Sequence, residues 1–240
     1  MRVLLIIPAF NEEKSIEKTV EKIEEFKKKN QLAYTLDYVV INDGSTDGTG
    51  KVLDRCAVNH VDLINNLGIG GAVQTGYMYA KNNDYDVAVQ FDGDGQHDIE
   101  SLNKIVEPVL HDEYDFVIGS RFVENVKDNF KSTFMRRLGI IIISLAIQLV
   151  CRKKIYDTTS GFRAANKKAI AFLSTKYPVS YPEPESIVHL LKNKFRIGER
   201  AVKMYDRKMG ISSIRALTSA TYMIEVTAAI FISGFMKEGD

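Results

Sequence analysis

Short apolar runs alternate with helix-period segments over the first half of the chain. Val3–Ile7, Tyr38–Ile41, Val61–Ile64, Val87–Phe91 and Phe116–Ile118 are runs of three to five residues rich in Val and Ile. Runs of this kind predict strands buried on both faces, as in a parallel sheet. Between the first two, Ile16, Val20, Ile23 and Phe26 recur at helical spacing, with Asn11 as N-cap and Glu12 and Glu13 at the positive helix end. Gly70–Lys81 and Ile99–Leu110 supply further helices, the second capped by Asp98 and disturbed by Pro108. Strands alternating with helices predict an α/β domain with a mainly parallel sheet. In such sheets ligands sit beyond the carboxyl ends of the strands, so the loops after each strand are the places to search.

Past residue 120 the pattern changes. Leu138–Val150 is a long apolar stretch, preceded by Arg136 and Arg137 and followed by Arg152, Lys153 and Lys154. Thirteen helical residues reach about 20 Å, short of the ~30 Å hydrocarbon core of a bilayer. Ser144 and Gln148 share one face, which gives weak amphipathicity between basic ends. Two readings follow: an interfacial helix on anionic lipid, or a buried core helix. Leu217–Met236 is also mostly apolar, but Glu225 near its centre and five Ser or Thr residues dilute it. A mid-membrane acid costs about 2.5–3.5 kcal/mol on insertion scales. A helix on the membrane surface or on a membrane-embedded partner is therefore expected in preference to a span. The division expected is a main domain over 1–210, including an interfacial helix over 132–151, and a C-terminal apolar helix over 211–240.

Charge is balanced in sum, with 32 basic and 31 acidic residues among 240, which excludes a global footprint for nucleic acid. Along the chain it is uneven. Six acids and no Lys or Arg lie between Asp84 and Ser101, whereas nine basic residues face three acids from Ser120 to Arg163. An acidic cluster followed by a basic block suits a metal site beside an anion site, or simply two solvated faces. Cys56 and Cys151 are the only cysteines, too few for a disulfide framework or a four-thiolate zinc site, which points to a reducing compartment. Val3–Ile7 is too short for an export signal, so a cytoplasmic start is expected.

Three loops carry candidate chemistry. Pro8-Ala9-Phe10-Asn11-Glu12-Glu13 follows the first strand, and Asn42-Asp43-Gly44-Ser45-Thr46-Asp47-Gly48-Thr49 follows the second. Asp43 is placed to accept from a base N–H, while Ser45 and Asp47 equally suit a helix-capping turn. Phe91-Asp92-Gly93-Asp94-Gly95-Gln96-His97 follows the fourth strand. Asp92 and Asp94 act together if a turn breaks the strand's alternation, and Gly93 and Gly95 make that turn easy. Oxygen ligands of this kind suit Mg²⁺ or Mn²⁺ bridging nucleotide phosphates, whereas the spacing of a calcium loop is missing. His97 suits either a ligand or a structural role at a helix entry. Leu67-Gly68-Ile69-Gly70-Gly71-Ala72 fails as a dinucleotide fingerprint, because it does not follow the first strand and Val73 stands where a third glycine belongs. Its glycines are expected to allow close approach between loop, ligand and helix.

Taken together, IPAFNEE, VINDGSTDGT, NNLGIGGAVQTG, QFDGDGQHD, IGSRF, DTTSGFRAAN and RKMGISS stand in order from Val3 to about Ser213. The chain thereby resembles the family-2 glycosyltransferases of GT-A fold, and within them the polyprenyl-phosphate glycosyltransferases of the dolichol-phosphate-mannose-synthase-like branch. The resemblance implies a nucleotide-sugar pocket at Pro8, Ala9, Phe10, Glu12, Asp43, Gly70, Gly71, Asp92, Gly93, Asp94 and Arg207. It implies a divalent-metal site at Asp94, Gln96 and Asp92, and acceptor-phosphate contacts at Ser120, Arg121, Arg137, Ser160 and Arg163. Catalytic roles fall to Asp94, Asp157 and Arg121, with Asp157 either a base or a residue orienting Arg121 or Arg163. Glu183 or Glu185 in Pro182-Glu183-Pro184-Glu185 faces the sugar or starts a helix.

What the resemblance predicts is inverting transfer of one sugar from a nucleotide-diphosphate sugar, UDP-linked in preference to GDP-linked, to a polyprenyl (undecaprenyl) phosphate. The expected place is peripheral, on the inner face of the cell membrane. The chain has no tryptophan, so the Gln-x-x-Arg-Trp motif of processive synthases cannot occur. The multi-span tail of some relatives is also missing, leaving an integral-membrane partner, a homo-oligomer or peripheral lipid binding. The competing readings are transfer to a glycan or protein hydroxyl, which needs a true general base, and a GDP-mannose-dependent polyprenyl-phosphate mannosyltransferase. A nucleotidyltransferase lacks its glycine- and lysine-rich first loop here, and a scaffold has no use for Asp92, Asp94, Gln96 and Arg121.

Overall fold

The computed structural model describes residues 1–93, 97–123, 134–205 and 218–235. Seven strands form one sheet: β1 (Arg2–Ala9), β2 (Thr35–Asn42), β3 (His60–Asp62), β4 (Val87–Gln90), β5 (Phe116–Ser120), β6 (Arg163–Asn166) and β7 (Ile197–Ala201), in spatial order β3-β2-β1-β4-β6-β5-β7. The helices are α1 (Ile16–Lys29), α2 (Thr49–Arg55), α3 (Gly68–Asn82), α4 (Leu102–Leu110, entered by a 3₁₀ turn at Ile99–Ser101), α5 (Phe134–Cys151), α6 (Lys167–Lys176), α7 (Pro182–Lys192) and α8 (Thr218–Phe235).

Both faces of the sheet are covered, which is why its strands read as unbroken apolar runs. Along β1, Leu4 and Ile6 point into a core shared with α3, α6 and α7. Val3, Leu5 and Ile7 point into the opposite core beneath α1, α2 and α4. All five are fully buried, and each such side chain contributes about 1.5–3 kcal/mol relative to exposure. The third strand is shorter than its apolar run suggests: Ile64 lies past β3 and is exposed.

Every strand pairing is parallel except those of β6, which runs antiparallel to β4 and β5. The reversal matters for the site. It carries the start of β6, with the loop before it, to the end of the sheet where β4 and β5 finish. Neither β6 nor β7 is announced by hydrophobicity, since Arg-Ala-Ala-Asn and Ile-Gly-Glu-Arg-Ala lack an apolar run.

Two local expectations are corrected, and the C-terminal helix is placed. Asn11 is not the N-cap of α1, which starts five residues later after Ser15. Asn11 instead takes a left-handed conformation (φ 56°), and its side-chain oxygen accepts from the Thr46 and Asp47 N–H groups, tying the first loop to the second. Ser144 and Gln148 do not form a polar face on α5: Ser144 is buried and donates to the Ile155 carbonyl, whereas Gln148 is exposed. The exposed face of α5 is itself apolar, presenting Leu138, Ile141, Ile142, Leu145 and Leu149, while Ile140, Ile143, Ala146 and Ile147 pack inward. The buried-core reading describes the inner face of this helix, and the outer face is exposed and apolar. Finally, α8 lies on the body of the protein, with Val226 and Ile230 in the same core as Ile143 and Ile147. Tyr181 donates to Glu225 (2.7 Å) and Lys192 to the Ser233 carbonyl (2.7 Å). Among the described residues, no helix is long and apolar enough to cross a membrane.

Candidate active site

Adjacent parallel strands deliver three loops to one end of the sheet. Asp43, just past β2, donates its N–H to the Ala9 carbonyl (2.8 Å), so the first two loops start side by side. Its carboxylate accepts from the Leu67 N–H (2.7 Å), and Asn66 donates to its carbonyl (3.0 Å), which draws in the loop after β3. Further cross-links run from the Asn11 N–H to Ser45 Oγ (3.0 Å), the Glu12 N–H to Thr49 Oγ1 (2.9 Å) and the Gly48 N–H to Glu13 (3.0 Å). Ser45 and Asp47 are spent on these turns, Asp47 capping α2 through the Thr49 N–H (2.9 Å). Asp43 is the second-loop acid that reaches the cavity.

That cavity is a cleft of about 430 Å³ lined by Pro8, Ala9, Phe10, Glu12, Asp43, Asp92 and Gly93, together with Asn66, Gly68, Ile69, Ala72 and Glu183. Phe10 is half-exposed at its mouth. Four carboxylates and no Lys or Arg stand among these described residues. A diphosphate entering such a cleft meets like charge, so the donor set fits a hard divalent cation that neutralises both. Asp94, Gln96 and Arg207, the other residues assigned here, lie outside the described residues. Among those described, no group of three His, Cys, Asp or Glu is spaced to hold a metal.

Asp92 is fixed from three directions. Its N–H donates to His97 Nδ1 (3.0 Å), and His97 Nε2 lies 3.4 Å from its carboxylate. His97 is buried, stacked on Phe162 with ring centroids 5.0 Å apart and edge-on to Phe91. It is a bracket for the loop. Behind the carboxylate, a Cβ at Gly161 would stand 2.8 Å from Asp92 Oδ2, so only glycine lets that chain pass so close. Gly93 is held from the other side, its carbonyl accepting from Thr19 Oγ1 (2.8 Å).

Gly70 and Gly71 stand apart from the cleft. They are buried within α3, where a Cβ at Gly70 would lie 2.6 Å from the Pro178 carbonyl and one at Gly71 would meet Leu67. Their smallness serves helix packing.

On the far side of Asp92 lie the residues assigned to the acceptor. Arg121, next after β5, grips Asp157 with two parallel bonds, Nε to Oδ2 (2.8 Å) and Nη2 to Oδ1 (2.7 Å). The Arg121 N–H adds a third (3.0 Å), and its guanidinium also donates to Thr159 Oγ1 (3.0 Å). Asp157 is fully buried. Arg163 lies deeper than expected. It is wholly enclosed, donating to the carbonyls of Ser160, Glu183 and Thr158 and to the Ser186 hydroxyl. With its guanidinium spent on α7 and its own loop, Arg163 braces the site and does not face an acceptor. Ser120 and Ser160 are likewise buried, each accepting the N–H two residues on (3.2 Å), so they shape the turns that carry Arg121 and Phe162. Arg137 is exposed on α5.

Two further residues line the cleft, Glu183, which the sequence left between a helix start and a sugar-facing position, and Asn66, which it did not single out. Glu183 stands in the first turn of α7 and lines the cleft. Burial pushes its carboxyl up; Arg163 opposes this and Asp92 adds to it. An acid placed between two prolines was the available signal. Asn66 had none beyond its position in a loop after a strand.

The family Glycosyl transferase family 2 is matched over residues 4–173. The chain is 30% identical over 223 residues to the UDP-N-acetylglucosamine--dolichyl-phosphate N-acetylglucosaminyltransferase of Methanococcus voltae, covering 84% of each. It is 33% identical over 170 residues to the undecaprenyl-phosphate mannosyltransferase of Micrococcus luteus, covering 68% of this chain and 66% of that protein. Glucosyl-3-phosphoglycerate synthase from Mycobacterium tuberculosis, solved with Mn²⁺, UDP and phosphoglyceric acid, superposes with a TM-score of 0.69 at 15% identity, over 99% of this chain and 80% of that one. The expected GT-A architecture is therefore the one adopted. With matched residues running from β1 into α6 and so taking in the loops that build the cleft, the chain belongs to glycosyl transferase family 2.

Proposed function

We propose that this protein transfers a single sugar, with inversion, from a UDP-sugar to a polyprenyl phosphate while lying peripherally on the cytoplasmic face of the membrane. The observation that carries this reading is the exposed apolar face of α5, flanked by Arg137 at one end and Arg152, Lys153 and Lys154 at the other. An enzyme acting on a soluble hydroxyl has no use for such a face, whereas one that must reach a lipid-borne phosphate does. The named acceptors of the relatives from Methanococcus and Micrococcus support it.

The donor's nucleotide enters the cleft beside Phe10 and Asp43, with the diphosphate toward Asp92 and Gly93. Asp94, Asp92 and Gln96 would hold the divalent ion, Mg²⁺ or Mn²⁺, and the Mn²⁺ bound in the structural relative supports this. When bound, such an ion neutralises diphosphate charge as a Lewis acid. Glu183 faces the sugar and accepts from its hydroxyls. The acceptor is a phosphomonoester whose second pKa is about 6, so at neutral pH it is already mostly a dianionic nucleophile. It needs orientation and charge compensation more than proton removal. Asp157 fits the orienting role, because its carboxylate is occupied by Arg121 from both sides and is closed to solvent. Arg121 then steadies the acceptor phosphate.

The deciding experiment supplies UDP-GlcNAc, UDP-glucose or GDP-mannose with Mn²⁺ and polyprenyl phosphate in anionic vesicles. Product is followed as acid-labile lipid-phosphate sugar and its anomeric configuration read by NMR. A UDP-sugar giving inverted product is expected. Transfer only to water-soluble glycans, or activity that ignores vesicles, removes the polyprenyl-phosphate reading.

A further inference from the structure

β7 is the edge strand beside β5, and its middle residue is an acid that no motif marked. Glu199 pairs in register with Ile118, two residues before Ser120 and three before Arg121. Among the described residues its carboxylate is not spent on a basic side chain. One oxygen accepts the Tyr156 N–H (2.8 Å) and the other the Asp157 N–H (2.9 Å). Ser120 lies beside the same carboxylate and favours its charged form, while its hydroxyl oxygen accepts the Phe122 N–H. Burial pushes the Glu199 carboxyl up and these donors pull it back.

A continuous chain of contacts results: Glu199 carboxylate, Asp157 backbone, Asp157 carboxylate, Arg121 guanidinium. The two consecutive N–H groups at Tyr156 and Asp157 point the same way and need a two-oxygen acceptor, which a carboxylate supplies and an amide does not. Glu199 also touches both segments that make the buried pair, the end of β5 through Ser120 and the 156–157 turn directly. Its charge cannot serve Arg121 itself, whose partner is Asp157. Its geometry serves the turn.

We propose that Glu199 is a positioning residue for acceptor binding: by clamping the N–H groups of Tyr156 and Asp157, it sets the angle at which Asp157 presents Arg121 to the acceptor phosphate. This rests on the reading that Arg121 meets that phosphate.

The test is steady-state kinetics of Glu199→Gln and Glu199→Asp against both substrates, with Mn²⁺–UDP binding measured by calorimetry. Glu199→Gln turns an amide N–H₂ toward one of the two N–H donors and opens the clamp. The acceptor KM is expected to rise about tenfold, while the donor KM and the UDP affinity stay within twofold. Glu199→Asp keeps both oxygens on a shorter stem and recovers part of the loss. In an Arg121→Lys background, Glu199→Gln adds less than twofold, because both changes act through one guanidinium. Equal rises in both KM values, or full additivity with Arg121→Lys, overturn the proposal in favour of a merely structural glutamate. A second readout does not need the acceptor's identity: the Arg121 Nε–H resonance in ¹⁵N-labelled protein shifts in Glu199→Gln and moves back toward its native position in Glu199→Asp. If the native enzyme transfers nothing to polyprenyl phosphate, the acceptor reading falls while this resonance still decides the clamp; an unmoved resonance sinks the clamp alone. Should Glu199→Gln fail to fold, Glu199→Asp carries both comparisons.

Discussion

The two halves of the sheet's functional edge treat charge in opposite ways. On the β1–β2–β4 side, Glu12, Asp43, Asp92 and Glu183 open onto a cleft that holds no Lys or Arg among the described residues. On the β5–β6–β7 side, Arg121 and Arg163 are withdrawn into the protein, one locked to Asp157 and the other to main-chain carbonyls. The first half keeps its charge for a ligand. The second spends most of its charge on rigidity, because a desolvated guanidinium persists only where its N–H donors find acceptors. A basic block in a sequence is thus a poor guide to where anions bind until the fold shows which cations still face outward.

The largest effect expected from breaking this contrast is at the loop after β4. If Asp94 holds the divalent ion as proposed, Asp94→Ala lowers kcat about 10³-fold with an unchanged melting curve. Retention of full turnover would remove the enzymatic account of the cleft. On the opposite side, Arg163→Met should cost about 3–5 kcal/mol of stability by chemical denaturation, leaving buried carbonyls without donors. At temperatures where the variant is folded, its acceptor KM should match the native value; a raised KM would return Arg163 to the acceptor site. Asp157→Asn tests the buried pair more gently. It keeps the shape but removes the charge opposite Arg121, and a loss of about 10–100-fold with an unshifted pH–rate profile is expected. Disappearance of the profile's acidic limb would instead make Asp157 a base.

Smaller effects probe the surfaces. Ile141→Glu combined with Leu145→Glu on the exposed face of α5 should reduce flotation with anionic vesicles several-fold and leave the melting curve within about 2 °C. At the other end of the sheet, Asp115 provides a control remote from chemistry. Against the burial that would raise it, hydrogen bonds from Arg196 and Asn166 hold its pKa at about 2. Its folded-state value lies below the unfolded value near 3.9, so its contribution is complete above pH 4 and disappears as pH falls toward 2. Native protein should lose about 1 kcal/mol across that window beyond what Asp115→Asn loses, in urea titrations at matched ionic strength.

How much was legible differs between the halves for a physical reason. The cleft residues sit largely in loops that directly follow strands, and those strands announce themselves by apolar runs that need cover on both faces. The order strand, loop, helix therefore pointed to the loops after β1, β2 and β4, and to Asp43 and Asp92 within them, without any knowledge of pairing, whereas Pro8 and Phe10 were singled out by the family resemblance. On the acceptor side the strands are quiet: β6 opens with a buried arginine, and β7 alternates with charge at an edge. Nothing local tells that Gly161 lies against Asp92, or that Glu199 reaches the 156–157 turn.

What the chain by itself determined is the covered parallel sheet, the strand-end loops that line the cleft and the oxygen-rich chemistry of their acids, since these follow from periodicity and residue type over short spans. Tertiary structure alone decided which charges remain available. The antiparallel insertion of β6 between β4 and β5 buries Arg163, pairs Arg121 with Asp157 and brings Glu183 to the cleft, and strand order depends on contacts between residues far apart in sequence, which no local pattern encodes.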